Sequence, residues 1–165
     1  MGAFATIFRE LAQADAGYVV VGGLAVVLHG YARVTADIDL VVDLRAPDAI
    51  RAVAALSRLG MLPRAPVEAR AFADATERQR WIDEKGMRVF SMYDPRRPLI
   101  EVDLFVNPPI SFEKLRANAV LMTIEEVQVP VACIADLIAM KRIAARPKDM
   151  EDIAALEAID ERRKK

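Results

Sequence analysis

The sequence predicts an α/β (α+β) fold: a central sheet of about five strands, flanked by helices and closed by a C-terminal helix pair. Three observations predict it. Short runs rich in β-branched residues, such as Tyr18–Val21, Asp37–Val42 and Leu99–Val106, are bounded by glycine, proline or charge, as strands are. Between them lie stripes at helical spacing, Phe4/Ile7/Phe8/Leu11 and Ile50/Val53/Ala54/Leu56. The chain has 165 residues, 54% hydrophobic and 28% charged, which suits one domain with a proper core. The opening order β-α-β-α is that of an α/β protein.

Each element has a local reason. Residues 3–15 form a packing helix with Gly17 just past its end. Strand Tyr18–Val21 stops at Gly22-Gly23, and Leu24–His29 has helical spacing over about two turns. After the loop Tyr31–Ala36 the chain re-enters a strand at Asp37. Pro47 and Asp48 open a helix that Gly60 ends. A charged segment follows, with a helix from about Asp74 to Glu84 that Trp81 anchors to the core. Met87–Tyr93 reads as a strand, Asp94–Pro98 as a turn and Leu99–Val106 as the next strand. Residues 111–117 form a short helix, and Val120–Val131 contains two short strands. Helices Ile134–Ala145 and Met150–Arg162 complete the chain, and the tail from Glu161 to Lys165 should fray. The domain is 1–165, with a core of about 1–132 and C-terminal helices of about 133–162.

The chemistry concentrates in Tyr18–Val42. Gly22 and Gly23 lack Cβ atoms, so the backbone can turn sharply there and admit a ligand. Backbone N–H groups opening the next helix make a seat for phosphate. Thirteen residues later come Asp37 and Asp39, whose side chains alternation places on one face of an apolar strand. Two such carboxylates repel each other and are costly to desolvate, and a divalent cation between them removes both penalties. Oxygen-only ligation suits Mg²⁺ or Mn²⁺. In the later strand, Glu101, Asp103 and Phe105 share a face, so Asp103 stands in mid-strand where an unpaired carboxylate is out of place.

Gly22-Gly23, the thirteen-residue spacing, Asp37-x-Asp39 and the wording Arg33-x-Thr35-x-Asp37-Ile38-Asp39-Leu40 resemble the DNA polymerase β-type nucleotidyltransferase superfamily. They are closest to its small bacterial branch of abortive-infection (AbiEii-like) toxin nucleotidyltransferases. The segments Ile100–Phe105 and Asp136–Ile153 resemble later parts of the same branch. The resemblance implies a mixed sheet and transfer of an NMP from an NTP to an acceptor: RNA (tRNA first), a protein or a small molecule. It implies Asp37, Asp39 and Asp103 as catalytic metal ligands. It also implies a nucleotide-binding set of Gly22, Gly23, Arg33, Thr35, Lys141 and Lys148, with Thr35 ordering its loop. Asp149 and Asp152 read equally as part of the nucleotide site or of an ordinary helix-start network. A catalytically silent nucleotide-binding or antitoxin-like interaction protein of the same fold is the alternative. The partner chains to consider are a second copy and a toxin or antitoxin protein.

Composition narrows the field further. A net charge of −1 argues against broad, non-specific nucleic-acid binding. The single cysteine, Cys133, excludes an internal disulfide and fits a cytoplasmic location; with one histidine, His29, it cannot make a zinc site. His29 reads as packing or capping. No apolar run approaches the ~20 residues that cross a bilayer.

Overall fold

In a computed structural model, which describes residues 2–165, the elements follow in the order α1 (Ala3–Gln13), β1 (Tyr18–Val21), α2 (Gly22–His29), β2 (Asp37–Val42), α3 (Ala46–Arg58) and β3 (Leu62–Pro63). A 3₁₀ turn (Ala69–Ala73), α4 (Ala75–Lys85), β4 (Val89–Asp94), β5 (Arg97–Phe105), α5 (Phe112–Asn118), β6 (Val120–Ile124) and β7 (Val127–Val131) come next. Helices α6 (Ile134–Ala144) and α7 (Pro147–Arg163) close the chain.

The strands form one mixed sheet in the order β3-β4-β5-β2-β1-β7-β6. It has seven strands against the five or so expected. Six of the seven are the strands named one by one from the sequence; the two-residue β3 is the one not named, because so short a run has no period to detect. All four residues of β1 are buried, since it lies between antiparallel β2 and parallel β7 and is covered on both faces. Strand β2 pairs in parallel with β5, a contact between segments some sixty residues apart. Helix α2 packs on β1 and β2 and touches both α6 and α7. This places the glycine turn, the Asp strand and the C-terminal helix pair around one space.

Several boundaries depart from the sequence reading. Helix α2 begins at Gly22 itself, two residues earlier than expected, with Gly22 entering it at a positive φ of 64°. Helix α3 buries Ala49, Ala52, Val53, Ala55 and Leu56, while Ile50 is exposed and Ala54 half-exposed. Small alanines meet the core because α3 lies close against it and the 3₁₀ turn. The turn before β5 is tighter than expected, so the strand already includes Arg97 and Pro98. Helix α7 starts at Pro147, where the Asp149 carboxylate accepts from the Arg146 backbone N–H at 3.0 Å and from its Nε at 2.8 Å, setting the first turn. Within the tail expected to fray, Arg163 has a partner: it donates to the His29 carbonyl at 3.0 Å and lies 3.2 Å from His29 Nδ1. Trp81 does anchor its helix, being 2% exposed and stacked on Phe90 at 5.4 Å between ring centroids.

Candidate active site

Strand register brings the carboxylates together. Val21, the last residue of β1, stands opposite Asp39, and Asp39 is level with Asp103 across the parallel β2–β5 pair. Asp37 is level with Glu101 one pleat away on the same face. The Glu101 carboxylate is taken up by Arg64 at 2.8 Å, and that guanidinium also lies 4.1 Å from the Tyr93 ring centroid. Glu101 is thereby withdrawn from the group, leaving Asp37, Asp39 and Asp103 as the set singled out from the sequence.

The glycine pair has a second reason to exist. Gly22 has φ +64°, and a Cβ there would fall 2.0 Å from Asp39 Oδ2. Any side chain at 22 would therefore evict the Asp39 carboxylate. At Gly23 a Cβ would meet Thr35 Oγ1 at 3.0 Å and an Arg33 guanidinium nitrogen at 3.1 Å. Gly22 makes room for a carboxylate and Gly23 for the cationic loop. Thr35 orders that loop by donating to the Asp37 carbonyl at 3.3 Å.

The electrostatics are those of crowded negative charge. Burial, then the neighbouring Asp103 and Asp37, push Asp39 up from 3.8 to about 6, against a Gly23 N–H donated to its carboxylate and the Lys141 charge. Asp103 is also raised, by burial first and by Glu101 and Asp37, although Ser91 Oγ donates to it at 2.5 Å. Ser91 stands opposite Asp103 in β4. Nothing in the sequence flagged it, because its role depends on a cross-strand register.

The cations of the site are organised around two buried aspartates of α7. Asp152, 2% exposed, accepts from Arg33 at 2.5 Å and from Lys141 at 2.6 Å. Asp149, fully buried, accepts from Arg146 at 2.8 Å and faces Lys141 at 3.4 Å. Burial works against both charges, but the hydrogen bonds from Lys141 and Arg33 hold Asp152 below the usual carboxylate range, and those from Arg146 do the same for Asp149. Asp149 and Asp152 thus serve as acceptors that fix the cations, and Lys141 lies 8% exposed between them.

All these elements surround one cleft of about 300 Å³. Its lining includes every site residue expected from the sequence: Gly22, Gly23, Arg33, Thr35, Asp37, Asp39, Asp103, Lys141 and Lys148. It also includes Arg88 and an apolar wall with Phe105 and Met140, which sequence reasoning did not assign to the site. His29 is absent from it; buried, it places Nε2 2.8 Å from the Ala132 carbonyl, as a packing residue would.

Among the described residues no three His, Cys, Asp or Glu side chains are drawn together tightly enough to hold a metal as they stand. The donor chemistry nevertheless fits a hard divalent cation. Asp39 and Asp103 are oxygen donors level with each other whose carboxylates resist ionising side by side, a penalty that a cation removes. No helix among the described residues is long and apolar enough to cross a membrane.

Comparison with known proteins bears on the same space. A family model described as "Nucleotidyl transferase AbiEii toxin, Type IV TA system" matches residues 6–163. No curated protein matches the chain. The solution structure of the antibiotic-resistance factor ANT(2'')-Ia, reported to show substrate-regulated conformation dynamics, is similar in fold. The match has a TM-score of 0.60 and 12% identity, and covers 93% of this chain and 80% of that one.

Proposed function

Since this chain belongs to the AbiEii nucleotidyltransferase toxin family of Type IV toxin–antitoxin systems, we propose that the cleft between β2, β5 and α6 is where it transfers a nucleotide. Family membership implies a nucleotide substrate and an antitoxin partner. The finer reading is that an NMP moves from an NTP to an acceptor hydroxyl, with RNA the first acceptor to test.

The observation that carries this reading is the alignment of Asp39 with Asp103 beside a glycine that leaves room for the Asp39 carboxylate and for no side chain. Asp37, Asp39 and Asp103 would hold Mg²⁺ or Mn²⁺, which when bound polarises phosphate oxygens and offsets the charge that develops on them. The N–H groups opening α2 receive the β- and γ-phosphates. Arg33, Lys141 and Lys148 line the same cleft and offset phosphate charge, with Asp152 keeping Arg33 and Lys141 in fixed positions. The acceptor oxygen attacks the α-phosphorus, the bond to the β-phosphate bridge oxygen breaks, and pyrophosphate leaves with that electron pair. Asp103, its carboxyl raised by burial and like charge, takes the acceptor's proton.

The test is transfer from labelled NTP in the presence of Mg²⁺ to total tRNA, protein lysate or small-molecule pools. The wild type should label one pool, and Asp39→Asn should label none while remaining folded. Transfer retained in Asp39→Asn would remove Asp39 from the site. No labelling of any pool by the wild type would favour the silent, partner-binding alternative.

A further inference from the structure

The two edges of the sheet are built differently. One edge, β3, has two residues, the second of them Pro63, and Arg64 follows directly. A strand so short, with a proline and a charge beside it, offers no row of backbone groups to another chain. The other edge, β6, runs Val120-Leu121-Met122-Thr123-Ile124, without charge or proline and in continuous register with β7. Val120 is 42% exposed and Leu121 62%. This edge carries none of the devices that guard the first.

The register says which of its backbone groups are free. Leu121 stands opposite Pro130, which has no N–H to give, so this is a pair without ladder hydrogen bonds. Such pairs alternate with bonded ones along an antiparallel ladder, so Thr123 and Gln128 form the next. The N–H and C=O of Leu121 and of Thr123 therefore point away from β7 into solvent. The two ends of β6 also differ in charge. Exposed Arg116, in the last turn of α5, precedes it, and the exposed turn Glu125-Glu126 follows it. None of these three enters an ion pair among the described residues.

We propose that β6 is the interface between two copies of this chain, paired antiparallel about a two-fold axis at Met122. Leu121 of one protomer then faces the partner's Thr123, and Thr123 faces the partner's Leu121. Both pairs exchange their hydrogen bonds, so every free N–H and C=O of the two strands is used. Met122 meets the partner's Met122 and Val120 meets the partner's Ile124, which joins the half-buried Met122 and Ile124 of each copy into one apolar row. Asn118 comes level with the partner's Glu126, bringing the Arg116 end of α5 beside the acidic turn, twice by symmetry. A second copy supplies the register, the apolar row and the opposite charge together, which singles it out as the occupant. Strands β1 and β7 separate β2 from β6, so both clefts stay open, with β2 and its counterpart roughly 34 Å apart across the joined sheet. The pairing is only about 17 Å long, so the dimer is reversible and forms with rising concentration.

The experiment is sedimentation equilibrium of the full chain over a roughly hundredfold dilution series. The wild type should pass from monomer to dimer mass, and amide exchange at Leu121 and Thr123 should slow over the same range. Thr123→Pro removes an outward N–H and leaves the β7 ladder intact, and should weaken the dimer about tenfold or more. Leu121→Lys should also weaken it, without a backbone change, and guards against a folding defect in the proline variant. Arg116→Glu and Glu126→Arg should each weaken it about three- to tenfold, and the double variant should recover most of the loss. A dimer indifferent to Thr123→Pro and Leu121→Lys would overturn the β6 interface. A double variant no tighter than either single one would overturn the two-fold register. A chain that stays monomeric throughout overturns the proposal and leaves the edge to a strand of a different protein. Nucleotide transfer, which needs one cleft only, stands or falls separately.

Discussion

Replacing Asp39 by asparagine should make the metal-free protein more stable while destroying transfer. Burial and the neighbouring Asp103 and Asp37 lift the Asp39 carboxyl from 3.8 to about 6. At 1.36 kcal/mol per unit of pKa, holding it ionised at pH 7 costs the folded state about 3 kcal/mol. The sign follows from proton counts. Between pH 3.8 and about 6 the native state binds more protons at this position than the unfolded chain, so stability falls as pH rises through that window. Asparagine keeps the shape and an acceptor for the Gly23 N–H but never ionises. Its amide group brings donors that need partners, so the expected gain at pH 7 is about 1–3 kcal/mol. Urea unfolding in EDTA from pH 4 to 7.5, wild type beside variant, measures it. The gap should be near zero at pH 4 and grow toward pH 7. A pH-independent gap, or a variant less stable than wild type at pH 7, would refute the reasoning.

Three further outcomes follow from the geometry. Gly22→Ala should lose about 1–2 kcal/mol from its positive φ alone; it should also lose transfer, because its methyl displaces the Asp39 carboxylate, and wild-type transfer in this variant would contradict that coupling. Asp152→Ala leaves Lys141 buried with only Asp149 at 3.4 Å, and should cost about 3–5 kcal/mol in chemical unfolding, partly recovered by adding Lys141→Met. His29 is held below 6.5 mainly by burial, with the Arg163 charge adding to it, so stability from its neutral form is present above 6.5 and lost as pH falls further. As the sole histidine it gives one imidazole titration by NMR, which Arg163→Ala should move upward; an unmoved midpoint would mean that Arg163 does not sense the ring.

What the sequence made legible is what local pattern encodes. The glycine pair, the alternation placing Asp37 with Asp39, and the isolated Asp103 in an apolar strand all announce themselves within a few residues. The level pairing of Asp39 with Asp103 needed the parallel β2–β5 register, which no local signal specifies. The sequence reading took the glycines as a phosphate seat, but their steric reason lies in Asp39 and Arg33, distant in sequence and adjacent in space. Asp149 and Asp152 were ambiguous for the same cause: only packing α7 on α6 reveals that they fix Lys141 and Arg33. The partner of Arg163 was not legible, because a charged helix end looks solvated until the end of α2 is found beside it. Ile50 misled because a stripe at helical spacing does not say that alanines will face a closely approaching neighbour.

The interleaving of β1 and β2 with β5 and α7 has a consequence for synthesis. The cleft needs a turn at residue 22, a strand that includes residue 103 and a helix that includes residue 152. Its carboxylates meet only through a parallel pairing of distant segments, which folds late because the loop must close before the contact forms. Until residue 152 has left the ribosome, Arg33 lacks its acceptor and Lys141 its partner, so the growing polypeptide has no assembled site. A protein of a toxin family therefore has no assembled site before α7 has been made.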